Sequence, residues 1–275
     1  GKPMVRNLMK AGFDVTVYAR NREKVEDVVS EGAVFCETLA ELASGVEVLI
    51  TMVGFPADVE DVYFGEGKIL ESANAGTYLI DMTTTSPSLD KRIHEEGKKR
   101  GLHVLDAPVT GGDVGAVKGT LSILAGGERA DFDACMPVFE ALGTNINYMG
   151  PSGSGQHAKM ANQIVIAGTI SGICEAFAYA EKEGLDPHTL IDAIATGAAG
   201  SMQMDTCGKM MVNGNYAPGF KLMHFVKDMG IAAEEAEKTG LKLDVLKTAL
   251  ANYRDMESQG YGENGTQVLI RHYLS

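Results

Sequence analysis

Residues 77–106, TYLIDMTTTSPSLDKRIHEEGKKRGLHVLD, read as strand, helix and strand. The segment 77–82 is apolar along most of its length. Ser86 and Pro87 supply a capping residue and a first-turn proline for a helix that runs to about Arg100. The segment 102–106 is again nearly continuous in apolar residues. Strands without polar alternation are buried on both faces, and a helix between two of them is the crossover of a parallel sheet.

The same alternation extends in both directions. Toward the N-terminus, 46–53 is an apolar strand, 22–30 a helix stopped by Gly32, and 14–18 an alternating strand. The chain opens with Gly1-Lys-Pro-Met4, where Pro3 suits the first turn of a helix, Met4, Leu8 and Met9 form its apolar stripe, and Gly12 ends it. A helix feeding a strand belongs to a βαβ unit, so a strand is expected before Gly1 and the natural chain is expected to be longer by about that strand. Toward the C-terminus, 121–125 is a strand and 130–142 a helix. The pattern predicts an α/β, Rossmann-type doubly wound sheet with its first strand missing.

After the breaker cluster Pro151-Ser-Gly-Ser-Gly155 the texture becomes helical. Residues 156–182 are apolar on most sides, which predicts a buried helix. Further helices are expected at 187–196, 201–211, 224–239 and 243–258. The predicted organisation is a dinucleotide-binding domain over 1–152 and an all-α helical domain for substrate and oligomer contacts over 153–275.

Composition narrows the function. The 275 residues are 45% hydrophobic and 22% charged, ordinary values for a globular chain. Lys plus Arg number 24 against 37 Asp plus Glu, a net charge of −13, which argues against nucleic acid or an anionic membrane as partner. The longest uncharged apolar run, 164–174, is shorter than a bilayer span. Cys36, Cys135, Cys174 and Cys207 are far apart and form no paired motif, and the histidines have no metal-ligand spacing. Free thiols, no metal and a cytoplasmic location are the expectation.

In open α/β sheets ligands bind beyond the carboxyl ends of the strands. Here those ends carry Arg20-Asn21-Arg22, Met52-Val53, Thr83-Thr84-Thr85 and Asp106-Ala-Pro-Val-Thr-Gly-Gly112. A site preferring NAD places an acid at the first of these. Arg20 and Arg22 stand there instead, which favours the 2′-phosphate of NADP. Thr110, Gly111 and Gly112 offer a hydroxyl and backbone N–H groups to a substrate carboxylate. On the long helix Lys159, Asn162 and Gln163 share one face. A lysine on a buried helix must pair or lose its charge, which makes it a usable proton donor. Lys227 lies on a second amphipathic helix.

Gly1-Lys-Pro-Met4-x-x-Asn7-Leu8, Asp81-Met-Thr-Thr-x-Ser-Pro87, Asp106-Ala-Pro-Val-Thr-Gly-Gly112, Gly153-x-Gly-x-x-x-Lys159-x-x-Asn162, Pro218-Gly-Phe220 and Lys227-Asp228 occur in this order. Together they resemble the β-hydroxyacid dehydrogenase family, which includes 3-hydroxyisobutyrate dehydrogenase, tartronate semialdehyde reductase (2-hydroxy-3-oxopropionate reductase) and the glyoxylate/succinic semialdehyde reductases. The resemblance implies an NAD(P)-dependent oxidoreductase interconverting a short β-hydroxy acid and its semialdehyde. It implies Lys159 as general acid/base, with Asn162 and Gln163 as its polar partners. Thr110, Gly111 and Gly112 would hold the substrate carboxylate. Gly1, as last glycine of a phosphate-binding loop, would line the cofactor groove with Arg20, Asn21, Arg22, Met52, Val53 and Thr84, and Lys227 would close over the cofactor beside Phe220. It also implies a homodimer or homotetramer. Thr110 stands where serine is common in the family, and Gln163 where many relatives have asparagine. The alternatives are an imine reductase on the same scaffold, against which Lys159 speaks, and a non-catalytic NADP-binding protein. A 6-phosphogluconate dehydrogenase would need a larger helical half.

Overall fold

The computed structural model describes residues 1–274. It divides into two compact units, Gly1–Lys159 and Met160–Ser275. The division falls inside the long helix, later than the 152/153 boundary expected from the breaker cluster. The reason is local: the first turns of that helix are bonded to the sheet, through the Gln156 backbone N–H to Asp106 and the Lys159 ammonium to the Val109 carbonyl.

The N-terminal unit runs α1 (Lys2–Lys10), β1 (Thr16–Val17), α2 (Glu26–Ser30), β2 (Val34–Phe35), α3 (Leu39–Ser44), β3 (Val48–Thr51), α4 (Pro56–Tyr63), α5 (Ile69–Ser72) and β4 (Tyr78–Asp81). It continues α6 (Pro87–Lys99), β5 (His103–Asp106), β6 (Val109–Thr110), α7 (Gly112–Lys118), β7 (Leu121–Gly127), α8 (Arg129–Ala134), α9 (Met136–Leu142) and β8 (Gly143–Gly150). Strands β3, β4 and β5 are parallel neighbours. Leu79 and Val104 pack into one apolar cluster while the adjacent Ile80 and Leu105 pack into another, so the sheet is covered on both faces.

Four features differ from the sequence reading. The sheet is mixed: β7 is antiparallel to β5 and β6 and parallel to β8, because the 107–120 connection carries a two-residue strand and a seven-residue helix in place of a full crossover. The helix expected over 130–142 is two helices broken at Cys135, since Pro137 has no N–H to continue the ladder. Ser86 sits at the N-cap of α6, but its hydroxyl bonds the Ser88 hydroxyl and caps no backbone group. The ladder is also discontinuous and not one doubly wound sheet: among the described residues β1 and β2 pair only with each other.

The second unit is helical. The helix α10 (Ser154–Lys182) enters it, followed by α11 (Pro187–Ile194), a wide turn at Met204–Gly208 leading into α12 (Lys209–Val212), α13 (Leu222–Thr239), α14 (Asp244–Met256) and α15 (Ile270–Leu274). α10 is long and apolar enough, by length and composition only, to cross a bilayer, and 44% of its most apolar window is buried within the protein. Its inward face, with Ile170, Cys174 and Phe177, joins a core that includes Phe225, Met229, Leu250 and Tyr253. The Phe225 and Tyr253 rings meet edge to face at 5.1 Å, and the buried Tyr253 hydroxyl donates to the Thr266 carbonyl at 2.9 Å.

Candidate active site

Asp106 ends β5, and two residues later the chain forms β6. There Thr110 lies opposite Ser122 of β7, and the chain then turns through Gly111 and Gly112 at φ +124° and +61°. A side chain is strained at either angle, so the turn that exposes these two backbones depends on glycine. Lys159 of α10 is 7% exposed and donates to the Val109 carbonyl at 2.8 Å. The structure thus brings the buried ammonium to within one residue of Thr110, next to the glycine turn.

Asn162 and Gln163 follow on α10. The Asn162 side-chain amide donates to Gln163 Oε1, and Gln163 Nε2 donates to the buried Asp228 Oδ2, each at 2.7 Å. Asp228 Oδ1 pairs with the Lys227 ammonium at 2.8 Å. A continuous polar chain Asn162–Gln163–Asp228–Lys227 therefore joins α10 to α13. Phe220 is part-exposed and packs against His224 and Phe225. Sequence reading names Asp228 only as Lys227's neighbour; its place as the link in this chain needs the helix packing.

The expected cofactor residues lie at strand ends and at the mouth of α1. No side chain caps α1, whose N-terminal N–H groups are the positive end of the helix dipole. Met52 is exposed, while Val53 and Thr84 are half-buried. The Val53 N–H donates to Thr83 Oγ1 at 3.0 Å, which ties these two strand ends together. These residues fit a nicotinamide dinucleotide: a helix N-terminus begun by glycine for phosphate, and small or apolar side chains at the strand ends.

The two arginines are not the bare cations the sequence suggests. Arg20 pairs with Asp58 at 2.7 Å. Arg22 pairs with Glu26 and Glu37 and stacks over the Phe35 ring at 4.9 Å. Asn21 Oδ1 accepts the Glu23 N–H, capping the turn at Arg22–Val25. Exposed pairs of this kind are worth at most about 1 kcal/mol, so either guanidinium can exchange a carboxylate for a phosphate.

Sequence reasoning missed a set of buried carboxyls beneath these strand ends. Asp81, Asp90 and Asp106 are each at most 2% exposed. Thr51 donates to Asp81 Oδ1 at 2.7 Å and shares a contact of 3.1 Å with the Tyr63 hydroxyl. Burial raises the Asp81 carboxyl, against the pull of the Thr51 hydroxyl and the Thr83 N–H. Burial holds Asp90 well above the carboxylate range, helped by the negative charges of Asp81 and Asp106. Burial also pushes Asp106 up to about 6, against the pull of backbone N–H groups of Gly153, Gln156 and Gly155. Asp90 looks like one more charge on the polar run of α6, and nothing in the local sequence distinguishes it.

All three shifts have the same sign. The folded pKa lies above the unfolded one, so folding takes up protons. The stabilisation is complete at the acid end and is lost as pH rises through the folded pKa, for Asp106 between about 4 and about 6. The thermal midpoint of the N-terminal unit is expected to be higher near pH 5 than near pH 7.5, and Asp106→Asn is expected to flatten that slope. A midpoint that rises with pH over this window contradicts the assignment.

A family model described as the NAD binding domain of 6-phosphogluconate dehydrogenase matches residues 1–150. A second, the NAD-binding domain of NADP-dependent 3-hydroxyisobutyrate dehydrogenase, matches residues 153–273. An uncharacterized oxidoreductase of Bacillus subtilis, YkwC, is 49% identical over 98% of this chain and 94% of its own length. The 2-hydroxy-3-oxopropionate reductase of Escherichia coli is 34% identical over 98% of this chain and 92% of its own. Among solved structures, Mycobacterium tuberculosis 3-hydroxyisobutyrate dehydrogenase, determined with L-serine, superposes with a TM-score of 0.91 at 27% identity, covering 99% of this chain and 95% of that one. With both halves matched in order and near-complete coverage of its relatives, this chain belongs to the β-hydroxyacid dehydrogenase family of NAD(P)-dependent oxidoreductases.

Proposed function

We propose that this enzyme interconverts a short β-hydroxy acid and its semialdehyde, with Lys159 as the general acid/base. The observation that carries the reading is the buried Lys159 ammonium on the Val109 carbonyl, beside the Thr110-Gly111-Gly112 turn. A carboxylate held by the Thr110 hydroxyl and the backbone N–H groups of that turn would present its β-carbon oxygen to a proton donor one residue away. The bound nicotinamide supplies or accepts hydride. Lys159 protonates the developing alkoxide in the reductive direction, and its charge stabilises that oxygen in the transition state. Asn162 and Gln163, held by Asp228, orient the helix face that carries Lys159. In this reading Gly1, Met52, Val53 and Thr84 would contact the cofactor, and Phe220 and Lys227 are its expected ligands on the helical unit. The related 2-hydroxy-3-oxopropionate reductase and the serine-bound 3-hydroxyisobutyrate dehydrogenase support a small carboxylate substrate.

NADP is the preferred cofactor in this reading, with Arg20, Asn21 and Arg22 around the 2′-phosphate. Arg20→Ala is expected to weaken NADPH binding about tenfold and leave NADH binding unchanged, as read by titration calorimetry. Equal losses for both nucleotides would remove Arg20 from phosphate recognition. The chain is proposed to form a homodimer or homotetramer through the helical unit, where Val165 and Tyr179 of α10 and Val245 of α14 are each more than 60% exposed.

The experiment for the substrate class is turnover of NADPH and NADH, separately, against tartronate, methylmalonate and succinic semialdehydes and glyoxylate. Fast turnover of one of these, dependent on Lys159, is the expected result. Imine reduction without semialdehyde turnover would favour the imine reductase reading, and nucleotide binding with no turnover the non-catalytic one.

A further inference from the structure

Gln156 is fully buried and lies three residues before Lys159, on the same face of α10. Both amide hydrogens and the amide oxygen of its side chain are used. Nε2 donates to the Thr83 carbonyl at 2.7 Å and to Asp90 Oδ2 at 2.8 Å, and Oε1 accepts the Thr85 N–H at 3.1 Å. One amide therefore grips both flanks of Thr84 and the first turn of α6. Its own backbone N–H donates to Asp106 Oδ2 at 2.9 Å, while Oδ1 accepts the Gly153 N–H at 2.7 Å. The start of α10 is held from two directions, by the 83–85 segment and by the end of β5. Thr83 carries the link further, since its hydroxyl accepts the Val53 N–H at 3.0 Å.

We propose that Gln156 is a positioning residue: its amide locks the turn of α10 that carries Lys159 against the 83–85 segment and so sets the distance between the proton donor and the reacting atoms. The proposal rests on the reading of Lys159 as proton donor. The geometry demands a neutral amide. The partners of Nε2 are both acceptors and the partner of Oε1 is a donor, so no carboxylate satisfies the three contacts. The titratable groups around it are Asp90 on α6, Asp81 at the end of β4, Asp106 at the end of β5 and Tyr63 of α4, in contact with Thr51. The groups bonded to the amide are acidic or uncharged; the cations nearby are Lys159, one turn on and bonded to the Val109 carbonyl, and Lys91, whose stem packs at Gly153. An error of about 1 Å in a reacting group costs on the order of a hundredfold in rate, whereas Thr84 is one of several residues assigned to the nucleotide, so its displacement is expected to cost affinity less.

The test is Gln156→Glu, isosteric with the native side chain. Its kcat is expected to fall about tenfold to a hundredfold at neutral pH. The NADPH dissociation constant, read by titration calorimetry, should stay within about threefold of wild type. The loss should shrink as pH falls and the introduced carboxyl takes up a proton, giving a pH dependence that wild type lacks. The double variant Gln156→Glu/Asp90→Asn exchanges the places of amide and carboxyl and should recover part of the lost kcat. Should the single charge prevent folding, Gln156→Asn, which keeps a neutral amide but is too short for all three contacts, is expected to lower kcat with unchanged nucleotide affinity. Wild-type kcat across the pH range in either folded variant overturns the proposal, and so does an equal loss of kcat and nucleotide affinity, which would mark a merely structural role. Lys159→Ala run alongside separates the two claims. Activity retained there defeats the proposed function itself, while an inactive Lys159→Ala with a fully active Gln156→Glu defeats this inference alone.

Discussion

Lys159→Ala is expected to lower kcat by about a hundredfold or more, the range lost when a positioned acid is removed. NADPH affinity should be nearly unchanged, because Lys159 donates to the Val109 carbonyl of β6, in the segment assigned to the substrate and not to the nucleotide. Steady-state turnover with nucleotide binding measured in parallel separates the two effects. The substitution also leaves the Val109 carbonyl without its donor, a cost of about 1–3 kcal/mol in a buried setting. Lys159→Met fills the same space without the charge and controls for that loss. A variant that keeps more than about a tenth of the wild-type rate would falsify the assignment of Lys159 as general acid/base.

Gly155→Ala is expected to be the most damaging single methyl in the N-terminal unit. A Cβ there would lie 2.6 Å from the Asp106 carbonyl oxygen and 2.8 Å from Asp106 Oδ2, and closer still to the Leu124 carbonyl oxygen. Two of these neighbours are backbone in the sheet, and the third is the carboxylate that caps α10, so nothing can yield cheaply. The expected cost is about 3 kcal/mol or more, read as a lower urea midpoint or as failure to fold. Gly172→Ala is the control in the same helix. Its added methyl would meet nothing within 4 Å, and the better helix former should stabilise by up to about 1 kcal/mol. A Gly155→Ala midpoint equal to wild type would contradict the close seating of α10 on β5 and β7.

The parts of the fold legible in the sequence are those where hydrophobic period and punctuation agree. The βαβ unit 77–106 appears as β4, α6 and β5, and Gly12 and Gly32 end their helices in positive φ as their positions suggest. The antiparallel turn of β7 was not legible, because direction is set by pairing partners far along the chain and an apolar strand reads the same either way. The two-residue strands β1, β2 and β6 are too short to carry a periodic signal. For the site, Lys159 stands out because a cation interrupts an apolar helix. Thr110, Gly111 and Gly112 stand out because adjacent glycines mark a backbone exposed for contact. Gln156, Asp81 and Asp90 do not, since a polar residue buried by tertiary packing looks like any surface residue until its partners are known. The arginine reading was half visible. The cations are where the sequence puts them, but Asp58, Glu26 and Glu37 arrive from elsewhere in the chain or from the next helical turn to occupy them.

The central claim is hydride transfer to the aldehyde carbon of a short carboxylate substrate, assisted by Lys159. It is tested most directly with NADPH deuterated at the transferring C4 position, the best semialdehyde of the panel, and NMR of the product. The account expects one deuterium on the carbinol carbon of a β-hydroxy acid in the wild-type reaction and no labelled product with Lys159→Ala. Cofactor oxidation without deuterium on that carbon, or equal labelling by the variant, would contradict it.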